Sequence, residues 1–161
     1  MSTIAYFNGI IAGDTQLTVA GQCTFGVEKV GRTKNFLFGY AGSLAGMPRM
    51  YDWVRKMELA WEIEGWHFAT PPENMGEMNA TVMLVDRGGK VWILTEDGGL
   101  QQIHTDSYAI GSGEAYALGA LHVGADAVDA VGAATRWDIN SGGLILQASF
   151  SDAPFMPGKR G

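Results

Sequence analysis

A strand-turn-strand pattern occupies the very start of this chain. Thr3 to Phe7 is β-branched and aromatic, Asn8-Gly9 is the strongest two-residue hairpin signal, and Ile10-Ile11-Ala12-Gly13 leads to Asp14. A chain that begins directly in a strand holds its first residues at the end of a sheet. Whatever folds around this hairpin must therefore be a sheet structure with its N-terminus fixed in place. The residues preceding it, Met1-Ser2, have no basic segment or apolar run behind them, so they do not read as a signal peptide.

The remaining pattern alternates strands and helices. Leu17 and Val27–Val30 mark two short strands. Asn35 to Ala41 is a continuous apolar run, read as a buried strand. Gly42-Ser43 ends it, with Ser43 placed to cap a helix over Leu44–Glu64. In that helix Met47, Tyr51, Val54, Met57 and Trp61 recur in steps of 4, 3, 3 and 4, one helical face. Gly65 to Asn79 is a break carrying Pro71-Pro72. A second hairpin, Thr81–Asp86 with Lys90–Thr95, surrounds Arg87-Gly88-Gly89. Ser107–Ile110 is a strand, Gly113–His122 and Asp126–Arg136 are Ala-rich helices, and Leu144–Phe150 is the last strand. The runs Phe36–Tyr40 and Leu144–Leu146 are apolar on both faces, which suits strands in the middle of stacked layers. The expected fold is therefore α+β, a four-layer αββα sandwich of two antiparallel sheets flanked by helices. Residues 1–150 form one domain in this reading, and 151–161, with Pro154 and Pro157, a loose C-terminal tail.

Charge and cysteine content exclude several functions. Eleven Lys and Arg against seventeen Asp and Glu give a net charge of −6. No basic stripe is present, so no nucleic-acid partner is expected. The short basic spots at Arg32–Lys34 and Lys159–Arg160 read as solvated surface. A single cysteine, Cys23, allows neither an internal disulfide nor a thiolate zinc site, and points to a reducing, cytoplasmic compartment. No apolar run is long enough for a membrane helix. His67, His104 and His122 stand apart, without metal-ligand spacing, so no metal is expected. Gly111-Ser112-Gly113 lacks the third glycine of a dinucleotide fingerprint, Tyr116 standing in its place, and no G-x-S-x-G elbow occurs.

Four features fit together chemically. Removal of Met1 exposes Ser2, whose α-amine, with a pKa of about 7.7–8.0, can serve as general base for its own hydroxyl. Asp14 lies at the end of the hairpin's second strand. Lys29 is the nearest following cation in a strand-like context, and a lysine near an amine lowers the amine's pKa. Gly/Ser corners at Gly39–Ser43, Ile110–Gly113 and Asp138–Gly143 allow backbone N–H groups to approach a substrate. Each feature also has a plain structural reading as a turn, a cap or a surface charge.

In this order the pieces Ser2-Thr3-Ile4-Ala5, Ile11-Ala12-Gly13-Asp14, Val27-Glu28-Lys29-Val30, Gly39-Tyr40-Ala41-Gly42-Ser43, Ala109-Ile110-Gly111-Ser112-Gly113 and Asp138-Ile139-Asn140-Ser141-Gly142-Gly143 resemble the proteasome β-type family of N-terminal nucleophile hydrolases, especially the bacterial HslV-type peptidase. The resemblance runs from about Ser2 to Phe150. It implies Ser2 as nucleophile where the family has threonine, a buried Asp14–Lys29 ion pair beside it, Gly42 as oxyanion donor, and Ser112, Asp138 and Ser141 as the groups orienting the terminal amine. Thr3 is the rival nucleophile. Ser2 and Asp14 are an even 14 − 2 = 12 positions apart, which keeps their side chains on the family's faces, whereas Thr3 gives an odd spacing. The resemblance further implies an ATP-dependent protease's peptidase subunit, assembled as doubled hexameric or heptameric rings. An AAA+ ATPase unfoldase would feed it unfolded polypeptides. The peptide-bond chemistry itself needs no cofactor, and ATP enters only through the partner. Two alternatives stay open: a non-catalytic ring subunit, and a small-molecule amidase using the same chemistry.

Overall fold

A computed structural model of the chain describes residues 2–64 and 69–155. The N-terminal hairpin forms from β1 (Thr3–Phe7) and β2 (Ile10–Gly13), paired antiparallel. Its turn residues Asn8 and Gly9 both have positive φ, as a tight hairpin turn that matches the strand twist requires. A small hairpin follows, β3 (Leu17–Val19) with β4 (Gln22–Thr24). Then come β5 (Val30–Arg32) and β6 (Phe36–Ala41). A 3₁₀ turn at Leu44–Gly46, capped by Ser43, leads into α1 (Met47–Glu64). The second half contains β7 (Thr81–Asp86), β8 (Val91–Leu94), β9 (Leu100–Ile103), β10 (Ser107–Gly111), α2 (Glu114–His122), α3 (Ala127–Trp137) and β11 (Leu146–Ser149).

Two main sheets result. One has the order β10-β1-β2-β11 and the other β5-β6-β7-β8-β9, with all neighbours antiparallel. Three apolar interfaces stack them with the helices. Between the sheets, Ile4, Tyr6, Ile11 and Ile110 meet Leu37, Met83, Val85 and Ile93. On the outer face of the second sheet, Phe36, Phe38 and Tyr40 pack with Met50, Trp53, Val54 and Met57 of α1. On the outer face of the first, Ala5 lies between Ala12 and Ala109 in register. This row of small side chains forms a flat seat for Ala117, Ala130, Val131 and Ala134 of α2 and α3. Three interfaces make four layers, the αββα sandwich anticipated from the element order.

The structure alters several local expectations. Strand pairing begins at Val30, not Val27. The strands β4 and β9 were not anticipated. Gly65–Asn79 contains a 3₁₀ turn at Met75–Met78 with both methionines buried, while 65–68 lie outside the described residues. Arg32 is not solvated surface: it is 5% exposed in β5. Its guanidinium is satisfied by the carbonyls of Thr33, Phe150 and Asp152 and lies over the Phe150 ring. That contact also revises the picture of a loose tail from Ser151, because Phe155 exchanges two backbone hydrogen bonds with Arg32. Lys159–Arg160 lie outside the described residues. The run Leu144–Leu146 is not buried on both faces. It leads into β11, an edge strand, and Leu144 is 79% exposed before pairing begins. Among the described residues no helix is long and apolar enough to cross a membrane.

Candidate active site

The alternation of β1 decides which side each N-terminal residue serves. Ile4 and Tyr6 face the second sheet, and Ala5 faces the helices. Ser2, on the Ile4 parity, sits at the open end of the gap between the sheets. There it lines a narrow pocket together with Lys29, Gln16, Tyr40 and Gly42. It also lines an adjoining cleft of about 310 Å³, whose walls include Gly42, Thr81, Glu96, Ser112 and Glu114. Thr3, on the other parity, is fully buried, with its Oγ1 2.7 Å from Ser141 Oγ.

Asp14 stands one residue beyond β2, opposite Thr3. Its carboxylate is fully buried and accepts four hydrogen bonds. Oδ1 takes the Thr3 N–H and Lys29 Nζ, both at 2.9 Å, and Oδ2 takes the N–H groups of Gln16 at 3.2 Å and Gly142 at 3.0 Å. Lys29, 4% exposed, also donates to the Gln16 carbonyl at 2.6 Å. Its bland reading as a solvated strand residue is thereby set aside. Burial pushes the Lys29 ammonium's pKa down. The Asp14 charge and hydrogen bond and the Asp138 charge act upward without cancelling it. The result is a cation whose proton is held less firmly than usual, in the pocket that Ser2 lines.

A second polar group anchors the opposite flank. Asp138 caps the end of α3, and its Oδ2 accepts from Ser112 Oγ and Ser141 Oγ, each at 2.6 Å. Oδ1 accepts the Asn140 N–H at 3.1 Å. Burial opposes ionisation of Asp138, but the hydrogen bonds from Ser112, Ser141 and Asn140 outweigh it and hold the carboxyl below its ordinary value. Proton accounting then orders the chain. Ser141 gives its one hydrogen to Asp138, so Thr3 must donate to Ser141. Ser112 also reaches the Ser2 carbonyl at 3.4 Å.

Two glycines allow these groups to meet. Gly111 has φ 102°, and a Cβ there would overlap the Ser2 carbonyl oxygen. At Gly42 a Cβ would lie 2.6 Å from Tyr40 Oη, which is itself held by the Ser43 carbonyl. Any side chain at either position would displace the corner.

The fold thus gathers all seven candidates, Ser2, Asp14, Lys29, Gly42, Ser112, Asp138 and Ser141, at one end of the intersheet gap. Two participants escaped the sequence reading. Thr3 was weighed only as a rival nucleophile, whereas its hydroxyl and N–H bind both polar groups. Gln16 ties them together through its backbone to Asp14 and Lys29 and its side chain to the Ile139 carbonyl at 2.8 Å. The Asp14-x-Gln16 spacing, typical of an aspartate folding back on its own backbone, was the available signal. Cys23, His104 and His122 are exposed and line neither cavity, and His67 lies outside the described residues. No cluster of metal-binding side chains occurs among the described residues.

No protein-family profile and no curated protein matches the chain. Solved structures do, and they place the fold among HslV- and proteasome-like peptidases. The eukaryotic HslV from Trypanosoma brucei superposes with a TM-score of 0.66 at 17% identity, over 91% of this chain and 97% of that one. Thiobacillus denitrificans BPH gives 0.62 at 19% identity, over 91% and 95%. The same protein in complex with Epoxomicin gives 0.59 at 19%, over 91% and 96%. At these identities the shared property is the fold.

Proposed function

We propose that the chain is the peptidase subunit of a self-compartmentalising, ATP-dependent protease, with Ser2 as its nucleophile once Met1 is removed. One observation carries this reading: Ser2 and Thr3 are both buried, but Ser2 lines the cavities that hold Lys29 and Gly42, and Thr3 lines neither. The freed α-amine takes the proton from Ser2 Oγ, which attacks a peptide carbonyl. The Gly42 N–H meets the developing oxyanion. The amine then gives its proton to the departing amine of the substrate, leaving an acyl-enzyme that water hydrolyses. The buried Lys29 charge lowers the pKa of the α-amine, so that it is unprotonated near neutral pH. Asp14 positions Lys29, and the Ser112–Asp138–Ser141 group holds the start of the chain. No cofactor takes part in this chemistry. Subunits assemble into doubled hexameric or heptameric rings, and an AAA+ ATPase supplies unfolded polypeptides.

The test is a pair of variants in peptide cleavage. Ser2→Ala abolishes turnover. Thr3→Val, which loses one buried hydrogen bond worth about 1 kcal/mol, leaves turnover measurable. Turnover by Ser2→Ala, or its complete loss in Thr3→Val with the fold retained, contradicts the assignment.

A further inference from the structure

The corner that presents Gly42 is tied to Lys29 by one buried residue that the proposed chemistry does not use. Tyr40, in β6, is 2% exposed. Its N–H donates to the Lys29 carbonyl at 2.9 Å, and its hydroxyl donates to the Ser43 carbonyl at 2.6 Å. A single residue thus spans the backbone of the lysine and the corner beyond the strand.

The corner is built around that hydroxyl. A Cβ at Gly42 would lie 2.6 Å from Tyr40 Oη, and one at Gly46 would lie 2.5 Å from it. Both glycines leave the space the hydroxyl fills. Ser43, next to Gly42, donates its N–H to the Met78 carbonyl at 3.0 Å and accepts from Tyr40 through its own carbonyl. The two peptide units that follow Gly42 are therefore anchored. Among the described residues no hydrogen bond uses the Gly42 N–H itself. A glycine backbone turns easily, so the direction of that N–H depends on the anchors beside it. Burial raises the Tyr40 hydroxyl's pKa, against the Ser43 contact, which acts downward, so the hydroxyl keeps its proton and remains a donor.

Packing alone asks only for a phenyl ring at this position. The Tyr40 ring meets Tyr51 edge-on, with centroids 6.3 Å apart, and Tyr51 Oη donates to the Glu28 carbonyl at 3.0 Å. Those contacts support the backbone next to Lys29 without the Tyr40 hydroxyl.

We infer that Tyr40 is a positioning residue, whose hydroxyl holds the Gly42–Ser43 corner so that the Gly42 N–H points at the oxyanion formed beside Ser2. The inference rests on the peptidase reading for the oxyanion, but the hold on the corner is a property of the fold. Loss of one oxyanion donor costs about 10²–10³ in kcat, and a misplacement of about 1 Å costs about a hundredfold. Tyr40→Phe keeps the donor and loses its alignment, so kcat falls about ten- to a hundredfold. KM is unchanged, because the N–H acts on the oxyanion and not on the bound peptide.

The experiment compares the full-length wild type and Tyr40→Phe in three arms. In peptide cleavage, kcat and kcat/KM fall together and the pH profile keeps its shape, since the backbone bond to Lys29 remains. Val54→Ala, which loosens the same core cluster away from the corner, leaves kcat unchanged. The second arm uses a peptide aldehyde. Ser2 Oγ adds to its carbonyl carbon, the hydroxyl proton passes to the α-amine, and the carbonyl electron pair moves to the oxygen facing Gly42. Its inhibition constant rises about tenfold or more in Tyr40→Phe, while the matched peptide alcohol, which forms no oxyanion, binds as before. Gly46→Ala, which crowds the hydroxyl off the corner, repeats both results. The third arm needs no turnover: amide hydrogen exchange across residues 41–46 speeds up about fivefold, the factor for one hydrogen bond. Unchanged kcat, an equal loss of affinity for aldehyde and alcohol, or unchanged exchange overturns the inference and leaves the peptidase standing. Faster exchange with no cleavage by wild type keeps the hold on the corner and overturns the peptidase reading.

Discussion

Replacing Asp14 by alanine removes the one acceptor that four donors share. The Lys29 ammonium, 4% exposed, loses its ion-pair partner and keeps the Gln16 carbonyl. The N–H groups of Thr3, Gln16 and Gly142 lose their carboxylate contacts. Breaking a buried ion pair from one side costs about 3–5 kcal/mol, and a buried N–H left unpaired adds about 1–3 kcal/mol. A loss of at least about 4 kcal/mol follows, a large share of the roughly 5–15 kcal/mol typical of a domain. Lys29→Met acts differently. The carboxylate keeps three backbone donors, so the cost is that of one charged hydrogen bond, about 1.5–3 kcal/mol. The two effects are not additive, since the double variant has no ammonium left to strand. Urea unfolding followed by tryptophan fluorescence measures all three. With a slope of about 2 kcal/mol/M, Asp14→Ala lowers the midpoint by about 2 M and Lys29→Met by about 1 M. The double variant falls well short of the sum. A Lys29→Met loss equal to or above that of Asp14→Ala refutes the argument, because it would mean that the backbone donors do not hold the carboxylate.

Gly111→Ala, at φ 102° and against the Ser2 carbonyl, destabilises by more than about 2 kcal/mol and lowers the melting temperature accordingly; an unchanged melting temperature contradicts the close approach. Asp138 has a folded pKa below its unfolded one, so its stabilising contribution is complete above pH 3.8 and is lost as pH falls through the lower folded value. Asp138→Asn therefore flattens the acid limb of the unfolding free energy against pH below 3.8, while an unchanged acid limb means that the two serines do not bind the carboxylate in solution.

The legible parts of this fold are those with a local period. Asn8-Gly9 announced the hairpin, and the face formed by Met47, Tyr51, Val54 and Met57 announced α1; all four side chains are buried. The strand β4 gave no such signal, because Gln22, Cys23 and Thr24 are all exposed in a hairpin of its own. In β9, Gln101-Gln102 hides the period. Arg32 looked like a surface charge because two of its acceptors, Phe150 and Asp152, lie 118 and 120 residues away. The candidate site was legible in a different manner. Six short pieces resemble a family's in order, and strand parity places Ser2 and Thr3 on different sides of β1. What parity could not show is that Thr3 joins Asp14 to Ser141, a contact between chain ends that only the folded sheet brings together.

The central claim is that Ser2 acts through its own free amine. Intact-mass analysis of a preparation that cleaves peptides tests this most directly. The account predicts a chain lighter by one methionine, beginning at Ser2. An active preparation whose chains all retain Met1 contradicts it.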